Sequence, residues 1–502
     1  MNIAFRVDAS GKIGTGHLVR CLTLADALKA RGASTRFVCR QIPDFLAGLV
    51  TQRGHELARL TSSPRPFPED ILAHSQWLET SQQQDAEDTK RALAVATWDW
   101  VVVDHYALDF RWESALRGVA SQVMVIDDLA DRRHDCDVLL DQNYYCDQDA
   151  RYFGKVSDSC QLLLGPRYAL LREEFARLRE IVRPRTGAVK RVLVFLGGVD
   201  ADNYTGLALA ALADLKNFVL GIDVVIGPQH PARHEIEARC GDQGYSCHIQ
   251  TPDIAELMAQ ADLAVGAGGT ATWERCCLGL PTLTLCIAEN QKKLIEDSAR
   301  SGLLCASSPE GDLRSGMALH FRALLENPGY RELISRAGMA AVDGRGVSRV
   351  LRRMGCCTVE MRLAGVADSQ ALYEWRNHPS VRAVSRSTAS IPFESHERWF
   401  NGVLRDEKRA LLIGYRDNRP VGVVRFDMAG DCAEISIYLV PGLSERGMGV
   451  ELLGSAERWL SDNRPDVKQI RAEVLGDNAP SHGLFYAGGY TKDSTCYLKK
   501  VR

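Results

Sequence analysis

The chain has 502 residues, 45% of them hydrophobic and 25% charged, with a formal net charge of −3. That length exceeds what one core organises, so about three domains are expected. The near-neutral balance without a long basic block argues against a nucleic-acid partner, and no apolar run approaches the ~20 residues needed to cross a bilayer. The N-terminus enters an apolar run directly, with no signal-peptide pattern, so a cytoplasmic location is expected. The 15 cysteines are odd in number and include the doublets Cys276-Cys277 and Cys356-Cys357. Without a Cys-x-x-Cys pair they suit neither zinc nor a regular disulfide framework, and they read as reduced, mostly buried thiols.

Ile3-Ala4-Phe5 reads as a strand, and Leu18, Leu22, Ala25 and Leu28 recur at helical spacing up to Gly32. Between them Arg6-Val-Asp8-Ala-Ser10-Gly-Lys-Ile-Gly14-Thr-Gly16-His17 forms a strand-to-helix turn. Gly14 and Gly16 let backbone approach a ligand, and the helix start favours an anion. At the same position a histidine tends to stay neutral and able to accept a proton, which makes His17 the candidate base. Asp8 is a candidate either for orienting that imidazole or for holding a substrate hydroxyl.

Brief strands at 3–7, 35–39, 100–104, 123–127 and 138–141 predict a parallel sheet in a lobe spanning 1–175. Ligands of such sheets lie beyond the carboxyl ends of the strands. His17, Asp104-His105-Tyr106, Asp127-Asp128 and Asn143-Tyr144 fall there. The acidic run 127–137 contains oxygens that hard cations favour, but its irregular spacing suits a polar loop, and no metal is expected. A charged connector at 172–185 leads to a second lobe, 186–347. There a strand at 191–196 meets Gly197-Gly198, later strands occupy 224–227 and 263–266, and Gly268-Gly269-Thr270 opens a helix carrying Glu274. Those glycines would present N–H groups to a diphosphate, and Glu274 would accept from ribose hydroxyls. A further strand leads to Asn290-Gln291.

These residues carry a resemblance. Arg6-x-Asp8-x-Ser10, Ile13-Gly14-x-Gly16-His17-x-x-Arg20, Val103-Asp104-x-Tyr106, Asp127-Asp128, Asp141-x-Asn143, Gly165-x-x-Tyr168, Gly197-Gly198 and Gly268-Gly269-Thr270-x-x-x-Glu274 recur in order. The segment from 1 to about 345 resembles the UDP-sugar hydrolases of the pseudaminic acid pathway, which are similar to the two-lobed GT-B glycosyltransferases. The resemblance implies hydrolysis of a UDP-linked diacetamido-trideoxy altropyranose, with His17 in the position of the proposed base. UDP is a good leaving group, so one base aimed at water suffices, and attack opposite UDP inverts the anomeric centre.

The third region, 356–502, opens on a strand at 358–363 and a tryptophan-rich helical stretch, followed by antiparallel-looking strands at 410–415, 420–427 and 433–440. An alternating strand then runs into Arg446-Gly447-Met-Gly449-Val450-Glu451 and a helix, whose loop aims N–H groups at a pyrophosphate. After a strand at 469–474 comes Asn478-Ala-Pro-Ser-His-Gly-Leu-Phe485-Tyr486. This ordered pair resembles the GNAT N-acetyltransferase superfamily. Trp375-Arg376-Asn377, His396-x-x-Trp399-Phe400 and Gly422-x-x-x-Phe426 are similar to the acetyltransferases of the same pathway. The resemblance implies acetyl-CoA at 446–451 as co-substrate and transfer to a sugar 4-amine. Two positions depart from the pattern: Glu451 replaces a small residue, and Phe485 stands where a tyrosine often protonates the thiolate, with Tyr486 about 100° further round the helix. Glu434 is a candidate base acting through water, or a surface strand residue. Trp375 and Trp399 either wall a ligand or pack under the sheet.

The expected architecture is therefore α/β, two GT-B-like Rossmann-like lobes followed by an α+β GNAT domain. The expected function is bifunctional: acetylation of a UDP-linked amino sugar, then hydrolysis of the product to free sugar and UDP. The rivals are a GT-B glycosyltransferase fused to an acetyltransferase, and a sugar-nucleotide-binding scaffold with an inactive transferase half. Neither nucleic acid nor membrane is an expected partner, and oligomeric state stays open.

Overall fold

The computed structural model describes residues 1–61, 70–198, 200–215, 218–307, 312–356, 359–385, 387–416, 418–443, 448–474, 478–493 and 496–500. The chain divides into two compact units, Met1–Cys356 and Cys357–Arg502. Among the described residues no helix is long and apolar enough to cross a membrane. The cysteines described are all free thiols.

The first unit holds two parallel sheets. The first contains β1 (Asn2–Val7), β2 (Ser34–Cys39), β3 (Glu56–Arg59), β4 (Trp98–Asp104), β5 (Ala120–Ile126), β6 (Val138–Asp141) and β7 (Gln161–Leu164). Their spatial order is β3-β2-β1-β4-β5-β6-β7, and every pairing is parallel. Residues 3–7 are buried on both faces, as a sheet covered by helices on each side requires. Strand order reverses between β1 and β4, which opens a crevice beyond their carboxyl ends. The edge strands β3 and β7, four residues each and only partly buried, lie outside the strands that the sequence pattern predicts. Segments so short and mixed carry little periodicity.

The second sheet contains β8 (Arg191–Phe195), β9 (Gly221–Ile226), β10 (Ser246–Ile249), β11 (Leu263–Ala267), β12 (Thr282–Leu285) and β13 (Cys305–Ala306). Its order, β10-β9-β8-β11-β12-β13, repeats the same reversal. Gly197-Gly198 follows β8 and Gly268-Gly269-Thr270 follows β11, so both glycine turns flank one crevice. The helix Gly346–Arg353 follows the second sheet in sequence, yet Val350, Leu351 and Met354 join the core of the first. There the Trp100 indole N–H donates to the Met354 carbonyl at 3.2 Å.

The second unit is a mixed sheet of β14 (Glu360–Leu363), β15 (Arg409–Arg416), β16 (Arg419–Ala429), β17 (Cys432–Leu439), β18 (Gln469–Glu473), β19 (Thr491–Asp493) and β20 (Cys496–Lys500). The order is β14-β15-β16-β17-β18-β20-β19. Among the described residues only β17 and β18 run parallel, and their pairing ends at Ile435 and Ala472, while β17 continues to Leu439. The helix Met448–Asn463 makes the crossover and packs on the sheet through Leu452. Gly414 and Gly422 face each other across β15 and β16, and each makes room for Leu452. A Cβ on Gly422 would lie 2.3 Å from Leu452 Cδ2 and 2.8 Å from the Tyr438 carbonyl oxygen. Neither the fully buried leucine nor the strand backbone can yield, so Gly422→Ala is expected to destabilise this unit by about 1–3 kcal/mol in chemical denaturation.

Candidate active site

His17 is the second residue of the helix Gly16–Lys29, and Asp104 is the last residue of β4. They meet at the switch point of the first sheet, with His17 Nδ1 2.5 Å from Asp104 Oδ1. Arg20, one turn along the same helix, grips the same carboxylate with Nε on Oδ2 at 2.6 Å and Nη2 on Oδ1 at 2.7 Å. Burial pushes the Asp104 carboxyl up, but Arg20, and after it His17, outweigh burial and hold it well below the usual carboxylate range. An ionised carboxylate only accepts, so in the neutral ring the proton sits on His17 Nδ1 and the lone pair on Nε2. The imidazole side chain keeps 11% of its surface exposed. Its ring meets Tyr106 edge-on at 4.7 Å. Ser10 and Gly14 pair as an isolated bridge ahead of this helix, and Gly14 has φ +80°, which glycine adopts without strain.

Several residues assigned to catalysis or to the sugar lie elsewhere. Asp8 does not reach His17. It is fully buried, and its Oδ1 accepts from Arg6 Nη1 at 2.6 Å and from the Arg40 backbone at 2.7 Å. His105 Nε2 stands 3.2 Å from Asp8 Oδ2. Arg6 also binds Asp85 at 2.8 Å, so Arg6, Asp8 and His105 form an interior network under the turn rather than a substrate surface. Asp104 and Arg20 are likewise buried and paired with one another, Asp104 also with His17 and Arg20 also with Asp128. The acidic run is taken up by arginines: Asp127 and Asp131 by Arg132, Asp135 and Asp137 by Arg117.

Asp128 gathers the next tier. It accepts from the Tyr106 hydroxyl, from Asn143 Nδ2 at 3.1 Å and from Arg20 Nη1 at 3.4 Å. Asn143 Oδ1 in turn accepts from Trp273 Nε1 at 3.0 Å, which ties the first lobe to the glycine-turn helix of the second. The Ser301 hydroxyl donates to the Tyr144 hydroxyl at 2.8 Å in a second link between the lobes. His74 and Trp77, absent from the sequence reading, stack beside Tyr106 with ring centroids 5.4 and 5.6 Å away. A His-x-x-Trp spacing in a loop gave no signal for this. Asp141, beneath Asn143, is raised to about 8 by burial and then by Asp128.

In the second lobe Gly197 has φ +103° and Gly269 φ +148°, and Thr270 starts the helix Thr270–Cys277. Gly198 runs so close to Gly227 that a Cβ there would sit 1.8 Å from the Gly198 carbonyl oxygen. Gln291 lies against Gly268, its Cβ 3.4 Å from where a Gly268 side chain would begin. Asn290 is exposed on the same turn. Burial raises the Glu274 carboxyl, and its nearest cation, Arg172, stands 3.8 Å away. Glu274 is therefore a partly buried acceptor with spare capacity rather than a solvated surface group.

Residues 369–490 match the acetyltransferase (GNAT) family. The chain is similar to the uncharacterized protein MJ1062 of Methanocaldococcus jannaschii, 21% identical over 515 residues that span 98% of this chain and 97% of that protein. The spore coat polysaccharide biosynthesis protein SpsG of Bacillus subtilis is 24% identical over 357 residues, 70% of this chain and 96% of that protein. The UDP-2,4-diacetamido-2,4,6-trideoxy-beta-L-altropyranose hydrolase of Campylobacter jejuni is 22% identical over 304 residues, 60% of this chain and 97% of that enzyme.

Residues 369–490 are a GNAT acetyltransferase domain. Of its anticipated cofactor residues, Arg446 and Gly447 lie outside the described residues. Gly449 and Val450 are in the first turn of the helix Met448–Asn463. The neighbouring Glu451 points to Arg416 of β15, with Oε2 2.5 Å from Nη2, so its charge is matched within the domain. Asn478 caps the helix Ala479–Ala487, its Oδ1 accepting from the Ser481 N–H at 3.2 Å. Phe485 is buried against Tyr490 and Tyr497, while Tyr486 is 80% exposed. Trp375 packs on the apolar cluster of Leu372, Phe400 and Leu411, and Trp399 is partly exposed with Arg425 over its ring.

Two substitutions separate the roles of the buried carboxylates. Asp104→Asn turns an amide N–H toward His17 Nδ1 and favours the wrong tautomer. Any turnover that uses His17 as its base is expected to fall by about 10²–10⁴-fold in kcat with KM within a few-fold, in steady-state assays. Asp141 behaves differently. Folding favours its protonated form, so the ionised group is a liability that grows as pH rises from its ordinary value of 3.8 to about 8. Asp141→Asn is expected to stabilise the first unit increasingly over that range, read as the difference in unfolding midpoint between variant and wild type.

Proposed function

We propose that the chain is a bifunctional enzyme of nonulosonic acid precursor synthesis. Its GNAT domain acetylates the 4-amine of a UDP-linked amino sugar with acetyl-CoA, and its first unit hydrolyses the resulting UDP-diacetamido-trideoxy sugar. The observation that carries the hydrolase half is the His17–Asp104–Arg20 arrangement, which leaves Nε2 as the basic nitrogen of His17. The similarity to the Campylobacter jejuni hydrolase across 97% of that enzyme supports the substrate class.

In this reading the diphosphate lies against the Gly268-Gly269-Thr270 turn, with Gly197-Gly198 opposite. A water between His17 and the anomeric carbon gives its proton to Nε2 as its oxygen attacks. The bond from that carbon to the β-phosphate oxygen breaks, and its electron pair leaves with UDP, whose developing charge meets the backbone N–H groups of the helix start. The imidazolium that forms is stabilised by Asp104. Because Arg20 keeps Asp104 strongly acidic, the proton stays on the ring until it is released to solvent, which restores the neutral base before the next cycle. Attack opposite UDP inverts the anomeric centre.

In the acetyl transfer, the amine nitrogen bonds to the acetyl carbon and the bond to the CoA sulfur breaks, with the amine's proton balancing the thiolate. The parting of β17 from β18 beyond Ile435 gives a wedge in which the thioester can lie beside strand backbone, and the Met448–Asn463 helix start faces the pyrophosphate. The acetylated product is the diacetamido sugar that the first unit would cleave, so acetylation precedes UDP release.

An NMR time course with a UDP-4-amino sugar and acetyl-CoA tests both halves together. A UDP-linked diacetamido intermediate is expected first, then free sugar of inverted anomeric configuration and UDP. Faster acetylation of the UDP-free amino sugar would contradict the order. Intermediate that accumulates in water without UDP release would instead favour a glycosyltransferase.

A further inference from the structure

Arg275 is the anomaly of the second lobe. It sits on the helix Thr270–Cys277, is 2% exposed, and ranks among the largest fully buried side chains. Its Nη2 donates to the Ala267 carbonyl at 2.8 Å and to Thr272 Oγ1 at 3.2 Å. Its Nε and Nη1 are buried without a hydrogen-bond partner among the described residues, and no described carboxylate lies within ion-pairing distance. Burial lowers it to about 10, so it still carries its charge at neutral pH. An unpaired buried cation is among the costlier features a fold can retain, and two orphaned donors add to that cost.

Its location is specific. A Cβ on Gly266 would stand 2.4 Å from Arg275 Nη1, 2.7 Å from Cζ and 3.0 Å from the Phe195 carbonyl oxygen. The guanidinium therefore lies against Gly266 on one face of the second sheet, near the carboxyl ends of β8 and β11, in space that a glycine inside a strand leaves open. Thr272 Oγ1, which accepts from Arg275, also accepts from the Gly269 N–H at 3.3 Å. The charge is thus joined to the backbone of the turn by two successive hydrogen bonds that share Thr272 Oγ1.

We infer that Arg275 is the buried counter-charge for a diphosphate held above the Gly268–Gly269 turn. It acts through its field and through Thr272 rather than by touching the phosphate, so it is a positioning residue. The inference rests on the nucleotide-sugar reading of this lobe and adds that discrimination between a nucleoside diphosphate and the bare nucleoside comes from beneath the turn. In a low-dielectric, water-excluded setting a charge acts over such distances far more strongly than at a surface. The ligand's negative charge supplies what the interior lacks.

The test uses the full chain and isothermal titration with UDP and with uridine. Arg275→Met is expected to weaken UDP by about tenfold or more while changing uridine less than about twofold. Arg275→Lys, which keeps the charge, is expected to recover most of the UDP-to-uridine preference. Equal losses for both ligands would mean that Arg275 only supports the fold and would overturn the inference, as would unchanged UDP binding in Arg275→Met. If Arg275→Met does not fold, the lysine variant decides: loss of the preference despite the retained charge overturns the inference. Wild-type protein that ignores UDP altogether would remove the nucleotide reading, and this inference with it.

Discussion

The Asp104 carboxylate is the interaction on which the first lobe's chemistry depends. It has no solvent around it and so must be paired where it lies. His17 and Arg20 do this from one helix, three residues apart and on one face. The pairing joins the start of that helix to the end of β4. It fixes the imidazole's orientation and tautomer and keeps the carboxylate too acidic to take the proton. The ion pair that organises the switch point is thus also the device that frees Nε2.

The two lobes share a topology and load it differently. The first fills its switch point with side chains: a histidine, two carboxylates, an arginine and a tyrosine. The second keeps its own clear with glycines and carries its charge below them. Trp273 and Asn143 join the two, since one indole N–H and one amide connect the helix of the glycine turn to Asp128 and, through Arg20, to Asp104. The helix of the glycine turn is thus linked to His17 through a chain of side-chain hydrogen bonds that passes through Asn143, Asp128, Arg20 and Asp104.

What was legible in the sequence was local. The strand–glycine–helix turns around His17, Gly197 and Gly268 announce themselves through strand periodicity, then glycine, then helix periodicity, and they lie at the strand ends as expected. The partner of His17 was not legible in that way. Asp8 is near in sequence and Asp104 is 87 residues away, and only the placement of β4 beside β1 decides between them. Burial was equally hidden: Arg6, Asp8 and His105 look like a polar loop in the sequence and are an interior network in the fold. Glu451 looked like a charge facing a pyrophosphate until β15 brought Arg416 to it. Arg275 could have been suspected from a glycine inside a strand followed by an arginine on the next helix, but that pattern has no fixed period to read.

The hydrolytic mechanism turns on which nitrogen of His17 holds the proton. Nitrogen-15 NMR of histidine-labelled protein, with the His17 signals assigned by comparison with His17→Gln, reads this directly. In the neutral ring a protonated, pyrrole-like Nδ1 and an unprotonated, pyridine-like Nε2 are expected. A neutral ring carrying its proton on Nε2 would contradict that mechanism, because that nitrogen could then not receive one from water.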